Sequence, residues 1–195
     1  MSSVSGMIVL DIETSGLDEK SGVIFELGIA HVSTDLEILD TFHSYIFGQP
    51  EWNHFYNVWD ETDYAFKMHQ KSGLVAELAQ FDAPLSEFEK GDVEWDAISW
   101  LLGRGVQDNK SEPMVGSSIH FDRKWLDHHM PRLAGIFGYR NIDASSNGEW
   151  AKKFRPDIDA KIRSEVNPQM KHRVIPDIQD TVDLFKLQRK WGLIA

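Results

Sequence analysis

Apolar positions near the start of the chain fall into three runs suited to strands: 7–12 (MIVLDI), 23–33 (VIFELGIAHVS) and 38–47 (ILDTFHSYIF). Gly16 and Gly22 punctuate the first connection, and Thr34-Asp35 marks a turn before the third run. An aromatic-rich segment, 50–64 (PEWNHFYNVWDETDY), has no period that assigns it to either class. Ser72 reads as the N-cap of a helix over 74–81. Pro84-Leu85-Ser86 opens a longer helix to about residue 102, with Phe88, Trp95, Ile98 and Leu102 at one-face spacing. The rest predicts a short strand over 113–117, a helix over 122–130 stopped by Pro131, and a fifth strand over 141–144. The polar stretch 157–173 reads as a loop with some helix. A final helix over 176–191 turns Ile178, Val182 and Phe185 inward. Strands interleaved with helices indicate α/β, with an antiparallel meander first. The seven tryptophans read mostly as core.

Composition narrows the class. With 195 residues and 42% hydrophobic content, the chain can bury a full core as one domain, 1–195, with 1–5 a flexible start. Twenty Lys and Arg against 31 Asp and Glu leave a net charge of −11, which disfavours a broad basic groove for duplex nucleic acid. Bound cations would supply positive charge locally, so a metal-dependent phosphate enzyme stays open. The absence of cysteine excludes disulfides, thiolate metal sites and a Cys nucleophile, and suits a cytoplasmic protein. No basic-then-apolar leader and no run of membrane-spanning length is present.

The candidate chemistry begins where the first strand runs into Asp11-Ile12-Glu13. Residues two apart on a strand leave the same face, so these two carboxylates repel and need a cation or a shared proton. Alone, the pair fits a hydrated strand end equally well. Asp122, in 116–122 (GSSIHFD), and Asp177, in 172–177 (HRVIPD), are each consistent with ordinary acids at helix N-termini. His172, singly, fits a surface histidine.

Together these segments resemble the DEDD family of 3′–5′ exonucleases. DIETSGL matches the first motif, G-x-S-x-x-x-D the second and H-x-x-x-x-D the third, in the family order and wide spacing. A histidine five residues before the last Asp marks the His subgroup; the other subgroup carries a tyrosine where Arg173 stands here. The likeness extends to the oligoribonuclease branch through 69–75 (HQKSGLV), Ser118-Ile119 with Asp122-Arg123, Tyr139-Arg140, and Ile142-Asp143-Ala144-Ser145. Departures are Ser117 in an Asn position, Tyr64 in a Trp position, VIP before the last Asp, Gly148, and a longer aromatic segment at 48–63.

The resemblance implies a ribonuclease-H-like exonuclease fold, a central mixed five-stranded sheet flanked by helices. It implies two divalent cations, Mg²⁺ or Mn²⁺, held by Asp11, Glu13, Asp122 and Asp177, with His172 as general base. Leu17 would wedge against a base, Tyr64 and His69 would lie near the substrate, and Tyr139 would stack across a homodimer interface. Ser118, Arg140 and Ser145 would cap a 5′ phosphate and so restrict the substrate to short single-stranded oligoribonucleotides, dinucleotides included. Leu17 and Tyr139 fit core packing as an alternative, and Arg140 can equally pair with Asp143. Two competing functions remain at this point. One is a general exonuclease on single-stranded DNA or RNA, with Trp52, Phe55, Tyr56 and Trp59 as stacking residues. The other is an inactive nucleic-acid-binding module, against which stands the presence of all five catalytic residue types. His31, His43, His54, His128 and His129 read as surface or packing residues.

Overall fold

A computed structural model describes residues 5–46, 63–80, 90–166 and 171–194. The expected flexible start up to residue 4, the aromatic segment to residue 62, Phe81, and the helix start at Pro84 with Phe88 lie outside these residues.

Three antiparallel strands form the first half of one sheet: β1 (Met7–Thr14), β2 (Ile24–Val32) and β3 (Ile38–Tyr45). Two short parallel strands, β4 (Met114–Gly116) and β5 (Asn141–Asp143), extend it beyond β1, giving the order β3-β2-β1-β4-β5. The expected mixed five-stranded sheet is therefore present. β1 runs two residues further than the apolar pattern predicts, so Asp11 and Glu13 both lie within the strand rather than at its frayed end.

The helices, in chain order, are α1 (Tyr64–Ser72), α2 (Leu74–Leu78), α3 (Lys90–Gly103), α4 (His120–His129), α5 (Pro131–Ile136), α6 (Ala144–Phe154), α7 (Pro156–Glu165) and α8 (Val174–Lys190). Several departures from the sequence reading have identifiable causes. Ser72 ends α1 instead of capping the next helix; the break is at Gly73, whose left-handed φ of 85° separates α1 from α2. Pro131 stops α4 and at once starts α5, since a proline is tolerated in a helix's first turn. Pro156 does the same for α7, in the stretch read as mostly loop. The inward stripe of α3 is Val93, Ala97, Ile98 and Leu101, while Trp95 and Leu102 are exposed.

The tryptophans correct another expectation. Among the described ones only Trp125 is wholly buried. Trp95, Trp100 and Trp191 instead carry cations over their rings, from Arg132, Arg104 and Lys190 with Lys161, which suits a half-exposed aromatic face.

Strand alternation divides the core. Ile8, Leu10 and Ile12 face α3, α4 and α5, whereas Val9 faces Ile178, Val182 and Phe185 of α8, the three residues expected to point inward. Asp11 and Glu13 follow Val9 on the α8 face. Opposite Asp11 in the ladder is Gly28, where a Cβ would stand 2.7 Å from Val174 Cβ. The missing side chain lets the start of α8 settle directly onto β1 and β2, which brings Asp177 to the two acids.

Candidate active site

The acids converge from three elements. β1 supplies Asp11 and Glu13, the first turn of α4 supplies Asp122, and the first turn of α8 supplies Asp177. Asp122 is held by local need. β4 pairs with β1 only at Val9, so the Ile12 N–H beyond its end lacks a strand partner and donates to Asp122 Oδ1 at 3.1 Å. Asp177 accepts from the Lys171 N–H at 3.2 Å, which closes the turn carrying His172. His172 itself has a left-handed φ of 49°. Donor atoms of Glu13, His172 and Asp177 lie within 4.8 Å of one another.

The electrostatics are those of acids packed together without enough positive charge. Asp11 Oδ2 is sealed from solvent and has no hydrogen-bond partner among the described residues. Burial, then the charges of Asp122, Glu13 and Asp177, holds the Asp11 pKa well above the usual carboxylate range. Burial and the neighbouring Asp177 and Glu26 push Glu13 up to about 9. Burial pushes Asp122 up to about 8 and raises Asp177 as well. Buried oxygen donors that resist ionisation, one of them unpartnered, fit hard divalent cations, which would restore the anionic forms.

His69 lies beneath this cluster, fully buried. Its Nε2 is 2.8 Å from the Thr14 carbonyl, an acceptor, so Nε2 carries the proton and Nδ1 faces Glu13 Oε2 at 3.7 Å. His69 therefore braces the strand end at Thr14. Leu17, Tyr64 and Tyr139 are 82%, 78% and 80% exposed, which excludes core packing for Leu17 and Tyr139. Ser118 and Ser145 meet: the Ser118 N–H donates to Ser145 Oγ at 3.0 Å, and the two hydroxyls are 3.1 Å apart. Asp143 accepts from Ser118, Ser145 and Ser146, while the Arg140 guanidinium stands 4.5 Å from the Tyr139 ring centre. The alternative pairing of Arg140 with Asp143 is not formed.

Beside His172 opens a cavity of about 650 Å³. Tyr64, Lys67, Met68 and Lys71 of α1 line one side, and Lys171 and His172 the other. These lysines were not singled out from the sequence, although Lys67 and Lys71 sit four apart on a helix and flank His69. Arg173 was also passed over. Burial opposes its charge, but hydrogen bonds to Glu77 and Glu26 raise its pKa further. Arg123 went unassigned too; it ties α4 to β5 and its approach through Asn141 Oδ1 and the carbonyls of Gly138 and Arg140.

Residues 8–185 match the Exonuclease family (RNase_T). The chain belongs to that family. Among the relatives of this exonuclease is an oligoribonuclease of Acinetobacter baylyi, 29% identical over 96% of this chain and 94% of that protein. Another, from Thiobacillus denitrificans, is 30% identical over 94% and 93%. Among solved structures, Pop2p of S. pombe in its Mg²⁺- and Mn²⁺-bound form has a TM-score of 0.62 at 14% identity, covering 95% of this chain and 83% of that one. The E. coli exonuclease I complex with single-stranded DNA has a TM-score of 0.59 at 12% identity, covering 95% and 40%. These two likenesses establish the ribonuclease-H-like exonuclease fold. Among the described residues no helix is long and apolar enough to cross a membrane.

Proposed function

We propose that this exonuclease removes 5′-mononucleotides from the 3′ end of short single-stranded oligoribonucleotides, dinucleotides included, as one domain acting in the cytoplasm. The observation that carries the reading is the convergence of Glu13, His172 and Asp177 next to Asp11, whose Oδ2 is buried and without a hydrogen-bond partner among the described residues, in a family member related to oligoribonucleases.

Asp11, Glu13, Asp122 and Asp177 would hold two divalent cations, Mg²⁺ or Mn²⁺. When bound, these supply charge relief on the scissile phosphate and a lowered pKa for the attacking water. His172 takes the proton from that water, since a neutral imidazole accepts near pH 7. Its left-handed turn keeps the ring beside Glu13 and Asp177. His69, buried beside Glu13, holds the strand end at Thr14 and lies near the substrate. Leu17 and Tyr64, both exposed, offer apolar and aromatic surfaces to the bases. Ser118, Ser145 and Arg140 cap the 5′ phosphate, Arg140 through its forked donors. Tyr139, with the exposed Ile142, Trp150 and Phe154, forms the face on which a second copy docks, placing each Tyr139 across a homodimer interface.

The test is a length series of 5′-phosphorylated RNAs, from dinucleotide to icosanucleotide, incubated with Mn²⁺ and with chelator. Cleavage confined to the shortest members and lost with chelator is the expected outcome. Cleavage of long RNA and single-stranded DNA at equal rates would instead make this a general exonuclease, and no cleavage with any metal an inactive binding module. The net charge of −11 weighs against the general reading, because long strands are gripped by basic grooves.

A further inference from the structure

The cavity beside His172 has two walls from distant parts of the chain. One is α1, carrying Tyr64 and Met68; the other is the turn that carries His172. A single guanidinium ties them together. Arg173 Nη1 donates to Glu77 Oε1 at 2.9 Å and Nη2 to Glu77 Oε2 at 2.7 Å, a two-pronged pair. Glu77 lies on α2, separated from α1 by Gly73 alone. The same guanidinium donates from Nε to Glu26 Oε2 on β2 at 3.1 Å and from Nη2 to the Tyr45 hydroxyl on β3 at 2.9 Å. Tyr45 in turn donates to Glu77.

Two strands and a helix thus grip the residue adjoining His172. That grip has a clear task. A non-glycine residue at φ 49° holds a costly conformation, which persists only where the surroundings over-determine it. The Arg173 side chain is directed to β2, β3 and α2, so its contacts anchor the backbone turn.

We propose that Arg173 and Glu77 are positioning residues. Their ion pair sets the separation of the cavity walls and fixes the turn bearing His172, so it governs both how the substrate nucleotide seats and how His172 meets it. This rests on the reading of the cavity as part of the substrate site of an exoribonuclease.

The experiment compares Arg173→Ala, Glu77→Gln and the double variant with the unaltered protein. The readouts are steady-state hydrolysis of a 5′-phosphorylated dinucleotide with Mn²⁺, and amide hydrogen exchange across residues 171–177 without metal. Arg173→Ala is expected to lower kcat by ~10²-fold and to raise KM, as displacement of a catalytic group by about an ångström does. Glu77→Gln, at a half-exposed side chain that folding tolerates, is expected to lower kcat by roughly tenfold. The double variant should be no worse than Arg173→Ala, because Glu77 has already lost its partner. Exchange should quicken in all three.

Glu77→Gln with unaltered kcat, KM and exchange would overturn the proposal, and so would losses that multiply in the double variant. If the unaltered protein fails to cleave the dinucleotide, the functional reading falls. The exchange rates would then still decide whether the pair holds the turn.

Discussion

Glu13 and Glu26 face each other across β1 and β2 as register partners, and both are almost wholly buried, at 6% and 1% exposure. Their titration moves in opposite directions. Glu13 is pushed up to about 9. Burial also opposes the Glu26 charge, yet hydrogen bonds from His43 and Arg173 and the Arg173 charge hold its pKa below the ordinary value. His43 Nε2 is 2.6 Å from Glu26 Oε1, and Arg173 reaches both carboxylate oxygens. Glu13 has His69 Nδ1 at 3.7 Å and three other acids around it. Both carboxyls are buried; what differs is that Arg173 bonds Glu26 directly and acts on Glu13 only through its charge. On the Glu26 side the result is a structural joint. On the Glu13 side Asp177, Glu26 and Asp122 outweigh the opposing Arg173 charge, so the carboxyl keeps its proton unless a further cation binds.

The largest effect expected concerns the side left open. His172→Ala should slow hydrolysis by ~10²–10⁴-fold while Mn²⁺ binding, followed by calorimetry, survives. Unchanged turnover would remove His172 as the base and leave the acid cluster without its proton acceptor.

The two glutamates should also respond oppositely in stability. Glu26→Gln leaves Arg173 short of a buried carboxylate and should destabilise the protein by roughly 3–5 kcal/mol in urea titrations. Glu13→Gln removes a carboxyl that burial keeps from ionising. In metal-free protein near pH 8 it should stabilise, by on the order of 1–3 kcal/mol. Losses of equal size and sign would dissolve the contrast.

A third measurement follows the protons. Glu13 titrates near 9 folded against an ordinary 4.5, and Asp122 near 8 against 3.8. Between those limits the folded chain holds protons that the unfolded chain has released. Metal-free stability should therefore be greatest at low pH in this window and fall as pH rises, by up to ~1.4 kcal/mol per pH unit for each group. Added Mn²⁺ should flatten the slope, because bound cations favour the ionised forms. Thermal melts from pH 5 to 9, with chelator and with Mn²⁺, would read it.

The smallest effect lies furthest from the pair. Arg140→Ala should weaken binding of a 5′-phosphorylated dinucleotide about tenfold more than that of its unphosphorylated form. Equal losses would remove the phosphate cap.

The residues of the candidate site were legible in the chain through three linked family motifs, since each acid alone also fits an ordinary strand end or helix start. Asp11 and Glu13 share a strand face, while Asp122 and Asp177 stand in the first turns of helices, as their spacing from the apolar runs suggests. His172, alone a plausible surface histidine, was singled out only by the family motif that sets a histidine five residues before the last Asp. Less was legible wherever a residue works through distant partners. Arg173 meets Glu26 across 147 positions and Glu77 across 96, and no local period records either pairing. His69 was read as lying near the substrate by resemblance; the fold adds that it is buried, with Nε2 on the Thr14 carbonyl, a partner 55 positions away. The cationic tryptophan contacts were missed for the same reason, since hydrophobicity alone does not say which rings a guanidinium will cover.

The sequence by itself determined the strand-and-helix order, the acids, the histidine and the family motifs, all of which are local in composition or fixed in spacing. Tertiary structure decided which of two facing glutamates is neutralised from within. That choice depends on where one guanidinium reaches after α8 docks over Gly28, a matter of packing that no stretch of neighbouring residues encodes.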